Sequence, residues 1–88
     1  MIDNVTFKDK NFVLTTISFQ NEAPMKEIIT RLGGKVRSST VKDTDYIIYG
    51  ATDSTKYKKA VELKNNGRNI VFISEYDFVE YINSKLAK

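Results

Sequence analysis

Met25, Ile28, Ile29 and Leu32 fall at i, i+3, i+4 and i+7, and the chain then runs directly into Gly33-Gly34-Lys35-Val36. The apolar spacing predicts one face of an amphipathic helix. Gly33 stands where a helix end takes a left-handed residue, a conformation open to glycine because it has no Cβ to clash. Gly34 lets the chain reverse at once, so Lys35-Val36-Arg37 returns as a strand beside the one that fed the helix. A joint this tight leaves no room for a linker and predicts a compact α/β unit.

With 88 residues, the length predicts one small domain over 1–88, its core spanning about 5–86. Hydrophobic residues make up 41% and charged residues 28%, a globular rather than a disordered mixture. Five Phe and five Tyr, with many Ile, Val and Leu, must close the core, since there is no cysteine for a disulfide. Cysteine and histidine are both absent. Zinc sites of the usual kind and Cys- or His-based catalysis are therefore excluded, and no metal or cofactor is expected. The longest apolar runs are about four or five residues, against roughly 20 for a membrane span. No charged-then-apolar signal opens the chain. The expectation is a soluble protein in a reducing compartment, cytoplasmic and, in a bacterium, nucleoid-associated. A net charge of +3 is mild. Lys56, Lys58, Lys59 and Lys64 cluster, Lys35, Arg37 and Lys42 form a looser group, and a solvated face is the ordinary place for both.

Phe12-Val13-Leu14 reads as a strand buried on both faces, ending near Thr15-Thr16. Residues 17–22 read as a polar loop, with Pro24 in the first turn of the helix that follows. After a strand at 35–38 comes a loop, then a second buried strand, Tyr46-Ile47-Ile48-Tyr49, stopped by Gly50. Ser54 or Thr55 caps a helix that carries Tyr57, Ala60, Val61 and Leu63 inward. Asn65-Asn66-Gly67 ends it, and Ile70-Val71-Phe72-Ile73 is the last strand. Ser74, with Asp77 three residues on, caps a final helix whose stripe is Phe78, Val79, Ile82 and Leu86. The order is β-α-β-β-α-β-α, an α/β pattern with a parallel sheet and helices on both faces. A parallel crossover ordinarily needs a dozen residues or more. Only about seven separate the strands near 38 and 46, so the pattern alone leaves that pair open to an antiparallel arrangement.

The ordered set of Phe7, Lys10-Asn11-Phe12-Val13-Leu14-Thr15, Leu32-Gly33-Gly34-Lys35-Val36 and Ser38-Ser39 resembles a BRCT domain. The likeness continues through Thr44-Asp45-Tyr46-Ile47-Ile48-Tyr49-Gly50, Ser54-Thr55-Lys56-Tyr57-Lys58-Lys59-Ala60, Ile73-Ser74-Glu75 and Phe78. It is nearest the bacterial type found with NAD-dependent DNA ligases and some exonuclease-related proteins. The resemblance implies a four-stranded parallel sheet of order 2-1-3-4, the first and third helices on one face and the second on the other. The family accepts the short crossover. Phe78 stands where many members carry Trp and reads as core; Gly33 and Gly34 read as structural.

What the resemblance implies for function is a non-catalytic interaction module of a DNA repair or replication protein. Its partners would be DNA, a repair or replication protein, or both. Direct binding of DNA ends or nicks at a 5′ phosphate is the alternative, with phosphopeptide recognition a third. Phosphate-binding members use a hydroxyl after the first strand, the next backbone N–H, and a Lys at the start of the second helix. These fall on Thr15, Thr16 and Lys59, with Lys56 the other possible ammonium. A hydroxyl, an amide and an ammonium converging on an oxyanion make charge-assisted hydrogen bonds. Thr16 stands where the family usually has Gly, and its branched side chain would narrow the approach to the phosphate. Lys35, Arg37 and Lys58 are candidates for contacts to a nucleic-acid backbone. Asp43 and Asp45 are the close carboxylate pair, but their loop-to-strand position favours turn shaping over acid–base chemistry. No Walker A loop, dinucleotide fingerprint or ligase adenylation lysine motif is present. Any ligase or nuclease activity would lie on other domains.

Overall fold

The computed structural model describes residues 4–86. Along the chain run β1 (Asn11–Thr15), α1 (Phe19–Arg31), β2 (Lys35–Arg37), β3 (Tyr46–Tyr49), α2 (Thr55–Asn65), β4 (Val71–Ser74) and α3 (Glu75–Tyr81). A π-helical turn, Ile82–Leu86, extends α3. The strands form one sheet in the order β2-β1-β3-β4, and every pair is parallel.

Alternation along the strands divides the core into two layers. Phe12, Leu14, Ile48 and Ile73 face α1 and α3, where Met25, Ile29, Phe78 and Tyr81 meet them. Val13 and Ile47 face the other way, onto Ala60 of α2 and Ile70. This is why the strands read as unbroken apolar runs. The lead-in segment closes the larger layer. Phe7 stacks on Phe12 at 5.4 Å between ring centroids. The Thr6 N–H donates to the Tyr46 hydroxyl (3.0 Å) and the Val5 N–H to the Tyr81 hydroxyl (3.2 Å).

The double-glycine joint forms a Schellman end. The Gly33 N–H donates to the Thr30 carbonyl (3.1 Å), the Gly34 N–H donates to the Ile29 carbonyl (2.8 Å), and Gly33 has φ +93°. Gly34 is required for a different reason from the one its position in the sequence gives. A Cβ there would lie 2.7 Å from Ile29 Cγ2 and 3.0 Å from Phe12 Cε1, both on fully buried side chains. It is a site of close packing, and its dihedral is unexceptional.

The short crossover is parallel. β2 and β3 are not neighbours, because β1 lies between them. Strands of three and four residues rise only about 10–14 Å, and residues 38–45, in extended form, reach roughly 26 Å. The link therefore needs no helix. Thr44 shapes it by accepting from the Val41 N–H (3.0 Å), and Asp45 Oδ2 accepts from the Asn11 N–H (2.8 Å).

Several local expectations are corrected. α1 begins at Phe19, inside the stretch read as loop, so Pro24 lies at the sixth helical position and not in the first turn. Its missing N–H costs one backbone bond to Gln20, an exposed residue whose carbonyl water can serve. β2 stops at Arg37, and β4 starts at Val71. Leu32 is the C-cap and 40% exposed, and Val61, about 100° round α2 from the buried Ala60, is 37% exposed. Of the expected α3 stripe, Phe78 is buried and Val79 and Ile82 pack against it; the Leu86 side chain lies outside the described residues.

Candidate functional site

In an open parallel sheet the crevice for a ligand lies at the carboxyl ends of the strands, where the winding changes direction. Here that point is between β1 and β3, because β2 was added on one side of β1 and β4 on the other side of β3. Thr15, Thr16, Gly50 and the start of α2 meet there.

Thr15 closes β1 and is 6% exposed. Its Oγ1 donates to Ser54 Oγ at 2.8 Å. Ser54 is the N-cap of α2 and also accepts from the Tyr57 N–H at 3.0 Å. Having accepted twice, the Ser54 hydroxyl keeps its own proton free to donate. Sequence reading treated Ser54 as a cap alone; no local signal ties it to Thr15.

Thr16 adopts φ +53°, a left-handed conformation that costs a branched residue about 1–2 kcal/mol. Glycine is the residue that fits this dihedral freely, so the threonine's conflict is with the backbone more than with the width of the approach. Its hydroxyl offsets the strain. It donates to the Thr15 carbonyl (2.6 Å) and accepts from the Gly50 N–H (3.1 Å) and the Ala51 N–H (2.7 Å). Those three bonds use up the hydroxyl and hold it toward β3. A Cβ on Gly50 would overlap the Thr16 carbonyl oxygen, so both sides of this joint are fixed.

The two candidate lysines part company. Lys56 lies in the first turn of α2, is partly buried, and lines a hollow of about 410 Å³ with Leu14, Glu22, Lys26, Arg37 and Ser38 among its neighbours. The Lys56 carbonyl accepts from Thr40 Oγ1 (3.1 Å), which ties the crossover to this turn. Lys59 lies one turn further on, exposed, with its Nζ 3.5 Å from Glu62. Lys58 is exposed as well. Arg37 reaches the hollow and donates from Nε to Asn11 Oδ1 (3.1 Å), whereas Lys35 pairs in register with Asn11 at the far end of β1. Thr15 and Lys56 are thus gathered at one end of the sheet, while the Arg37 guanidinium is drawn back along β1 to Asn11. Lys26 of α1 lines the same hollow as Lys56, a tertiary juxtaposition that no local pattern marks.

Charge is polarised along this edge. The β2 side carries Lys26, Arg37 and Lys56 against one carboxylate, Glu22, itself paired with Lys26 at 3.2 Å. The β4 side holds a second hollow, of about 380 Å³, containing Glu75. Burial alone would raise the Glu75 carboxyl. Hydrogen bonds from the Asn21 side chain (2.7 Å) and from Ser18 outweigh that and hold it below its ordinary value. The positive charge of this end of the sheet thus lies on the β2 side and the negative charge on the β4 side. Among the described residues no group of three or more Asp or Glu is placed to hold a metal ion, and no helix is long and apolar enough to cross a membrane.

Residues 6–65 match the BRCA1 C Terminus (BRCT) domain family. A DNA ligase of Aliarcobacter butzleri is 42% identical over 57 residues, 65% of this chain and 9% of the ligase. A DNA ligase of Persephonella marina is 32% identical over 87 residues, 98% of this chain and 11% of the ligase. The chain thus spans about a tenth of these relatives' length. Among solved structures, Rad4 BRCT1,2 in complex with a Crb2 phosphopeptide is similar at a TM-score of 0.71 and 19% identity, covering 89% of this chain and 41% of that one. The complex of the same protein with an Mdb1 phosphopeptide gives 0.70 at 19% identity, over 89% of this chain and 40% of that chain. At that identity the likeness shows the fold. With a family match over more than half its length and the 2-1-3-4 parallel sheet to go with it, the chain belongs to the BRCT family.

Proposed function

We propose that this chain is a non-catalytic module of a DNA repair or replication protein and that it binds DNA through a phosphate at the carboxyl end of its sheet. The observation that carries this reading is the Thr15–Ser54 hydroxyl pair beside Lys56 in the first turn of α2. A free hydroxyl proton, an ammonium and the positive end of an 11-residue helix all favour an oxyanion. Lys56 takes the role of the ammonium; Lys59 is engaged by Glu62. The similarity to segments of bacterial DNA ligases supports DNA as the source of the phosphate.

A nicked duplex with and without a 5′ phosphate tests this by fluorescence anisotropy. The phosphorylated form is expected to bind more tightly. Lys56→Ala should weaken it roughly 10- to 100-fold, the range for a hydrogen bond to a charged group, while Lys59→Ala stays within about twofold. Equal binding of the two duplexes would remove phosphate recognition from the reading. The chain should also take up no adenylate from NAD or ATP, as read by intact mass.

A further inference from the structure

Phe19 is 94% exposed at the start of α1, and no part of the described fold covers it. Its position on the helix is informative. Phe19, Glu22, Lys26 and Thr30 fall at i, i+3, i+7 and i+11, one face of α1. The last three of these line the basic hollow with Arg37, Ser38 and Lys56. A second depression, lined by Phe19, Ala23 and Pro24, shares Glu22 and Lys26 with it. The two adjoin across these shared side chains and make one strip of surface, apolar and aromatic at the Phe19 end and cationic at the Lys56 end. From Phe19 to Thr30 it runs roughly 16 Å, enough for several nucleotides.

The floor at the cationic end follows from the shortness of β2. That strand pairs with Asn11, Phe12 and Val13 and stops. β1 continues through Leu14 and Thr15 with a partner on the β3 side alone. The hollow occupies the space a longer β2 would fill.

We infer that this groove takes the end of a single DNA strand, with its phosphate between Lys26 and Lys56 and the adjoining base stacked on Phe19. The inference rests on the phosphate reading above and names the chemical neighbour of that phosphate. A cationic track with an exposed aromatic ring beside it is the arrangement that holds unpaired nucleotides, because every base has a face to stack. Charge complementarity favours it: two lysines face one carboxylate, that carboxylate is paired with Lys26, and Lys56 is left without an ion-pair partner among the described residues. Glu22 is the one repulsive element in the groove.

The test is anisotropy with a short single-stranded oligodeoxynucleotide labelled at its 3′ end. It is compared in three forms: 5′-phosphorylated, lacking the phosphate, and phosphorylated with an abasic first nucleotide. Loss of the base, or Phe19→Ala, should each weaken binding about 5- to 100-fold. Phe19→Tyr should restore it, and Glu22→Gln should tighten it. Phe19 is exposed, so its variants are expected to fold, which circular dichroism checks. Phosphate-dependent binding that ignores both the base and Phe19→Ala overturns this inference and leaves the phosphate reading standing. Binding indifferent to the phosphate, or no binding, overturns both. A phosphoserine peptide whose affinity falls with Phe19→Ala, while the oligonucleotide's does not, also overturns it and gives the groove to a peptide.

Discussion

Thr16 concentrates the conflict between local preference and site geometry in one residue. Its φ of +53° is disfavoured for a branched side chain, yet its hydroxyl makes three hydrogen bonds that bind the end of β1 to the Gly50-Ala51 turn. Two substitutions separate strain from bonding. Thr16→Gly removes both. Thr16→Val keeps the branched shape and the strain while deleting the bonds, and it strips the Ala51 N–H of its hydroxyl acceptor. Thr16→Val should therefore lose more stability, about 1–3 kcal/mol, with Thr16→Gly between it and the parent chain. Urea melts give the order directly. If the valine variant matched the parent chain, the hydroxyl would not be what holds the turn. The dihedral explains why the sequence was a poor guide here. A threonine among threonines carries no mark of positive φ, and only the resemblance, through its usual glycine, pointed to this position.

Among the elements, α1 shows how far local pattern reaches. Its buried face and its glycine end were legible, because a helix repeat and a Schellman joint are written in adjacent residues. Its start was not. Ser18 is the N-cap but makes no side-chain capping bond; its N–H donates instead to Glu75 (3.1 Å), which lies 57 positions away at the head of α3 and also binds Asn21. A cap supplied from that distance has no sequence signature. Lys26 carried no mark for a different reason: it is tied to Lys56 by the hollow beyond β2, a tertiary feature. The choice between Lys56 and Lys59 failed for a related reason. They are three apart, share a helix face, and are distinguished by Glu62 and by the hollow beyond β2. The Glu75 latch has a pH signature. Its carboxyl is held below the ordinary value near 4.5, so the folded state prefers the charged form. That contribution is fully present above the unfolded value and is lost as pH falls through the folded one. Glu75→Gln should lower Tm at pH 7, and its deficit against the parent should shrink between about pH 5 and 3. Amide exchange at 18–22 should quicken in the variant at neutral pH. A deficit that stayed constant with pH would assign Glu75 a packing role only.

For the molecule as a whole, the weak net charge of +3 decides less than its distribution. Lys8, Lys10, Lys35 and Arg31 lie toward the amino ends of the strands, and Arg37 reaches back toward them to Asn11, while Lys26 and Lys56 line the hollow at the other end. If the groove is where DNA sits, few counterions are released on binding. For single strands log K falls with log salt at about 0.7 per neutralised phosphate, so two lysines give a slope of at most about −1.4. Lys56→Ala should flatten that slope by about 0.7. Lys59→Ala and Lys35→Ala should leave it nearly unchanged, the first because of Glu62 and the second because of its place at the other end of β1. Anisotropy titrations from 50 to 200 mM salt measure all four slopes. A parent slope well beyond −4, or one that responds to Lys35→Ala and not to Lys56→Ala, would move the contact to the opposite end of the sheet. In that case the lysines around the double glycine, Lys8, Lys10 and Lys35, brought together by the Asp9 N–H donating to the Gly33 carbonyl and the Lys35 N–H donating to the Lys10 carbonyl, would be the phosphate-binding surface, and the hollow left by the short β2 would have no anion to hold.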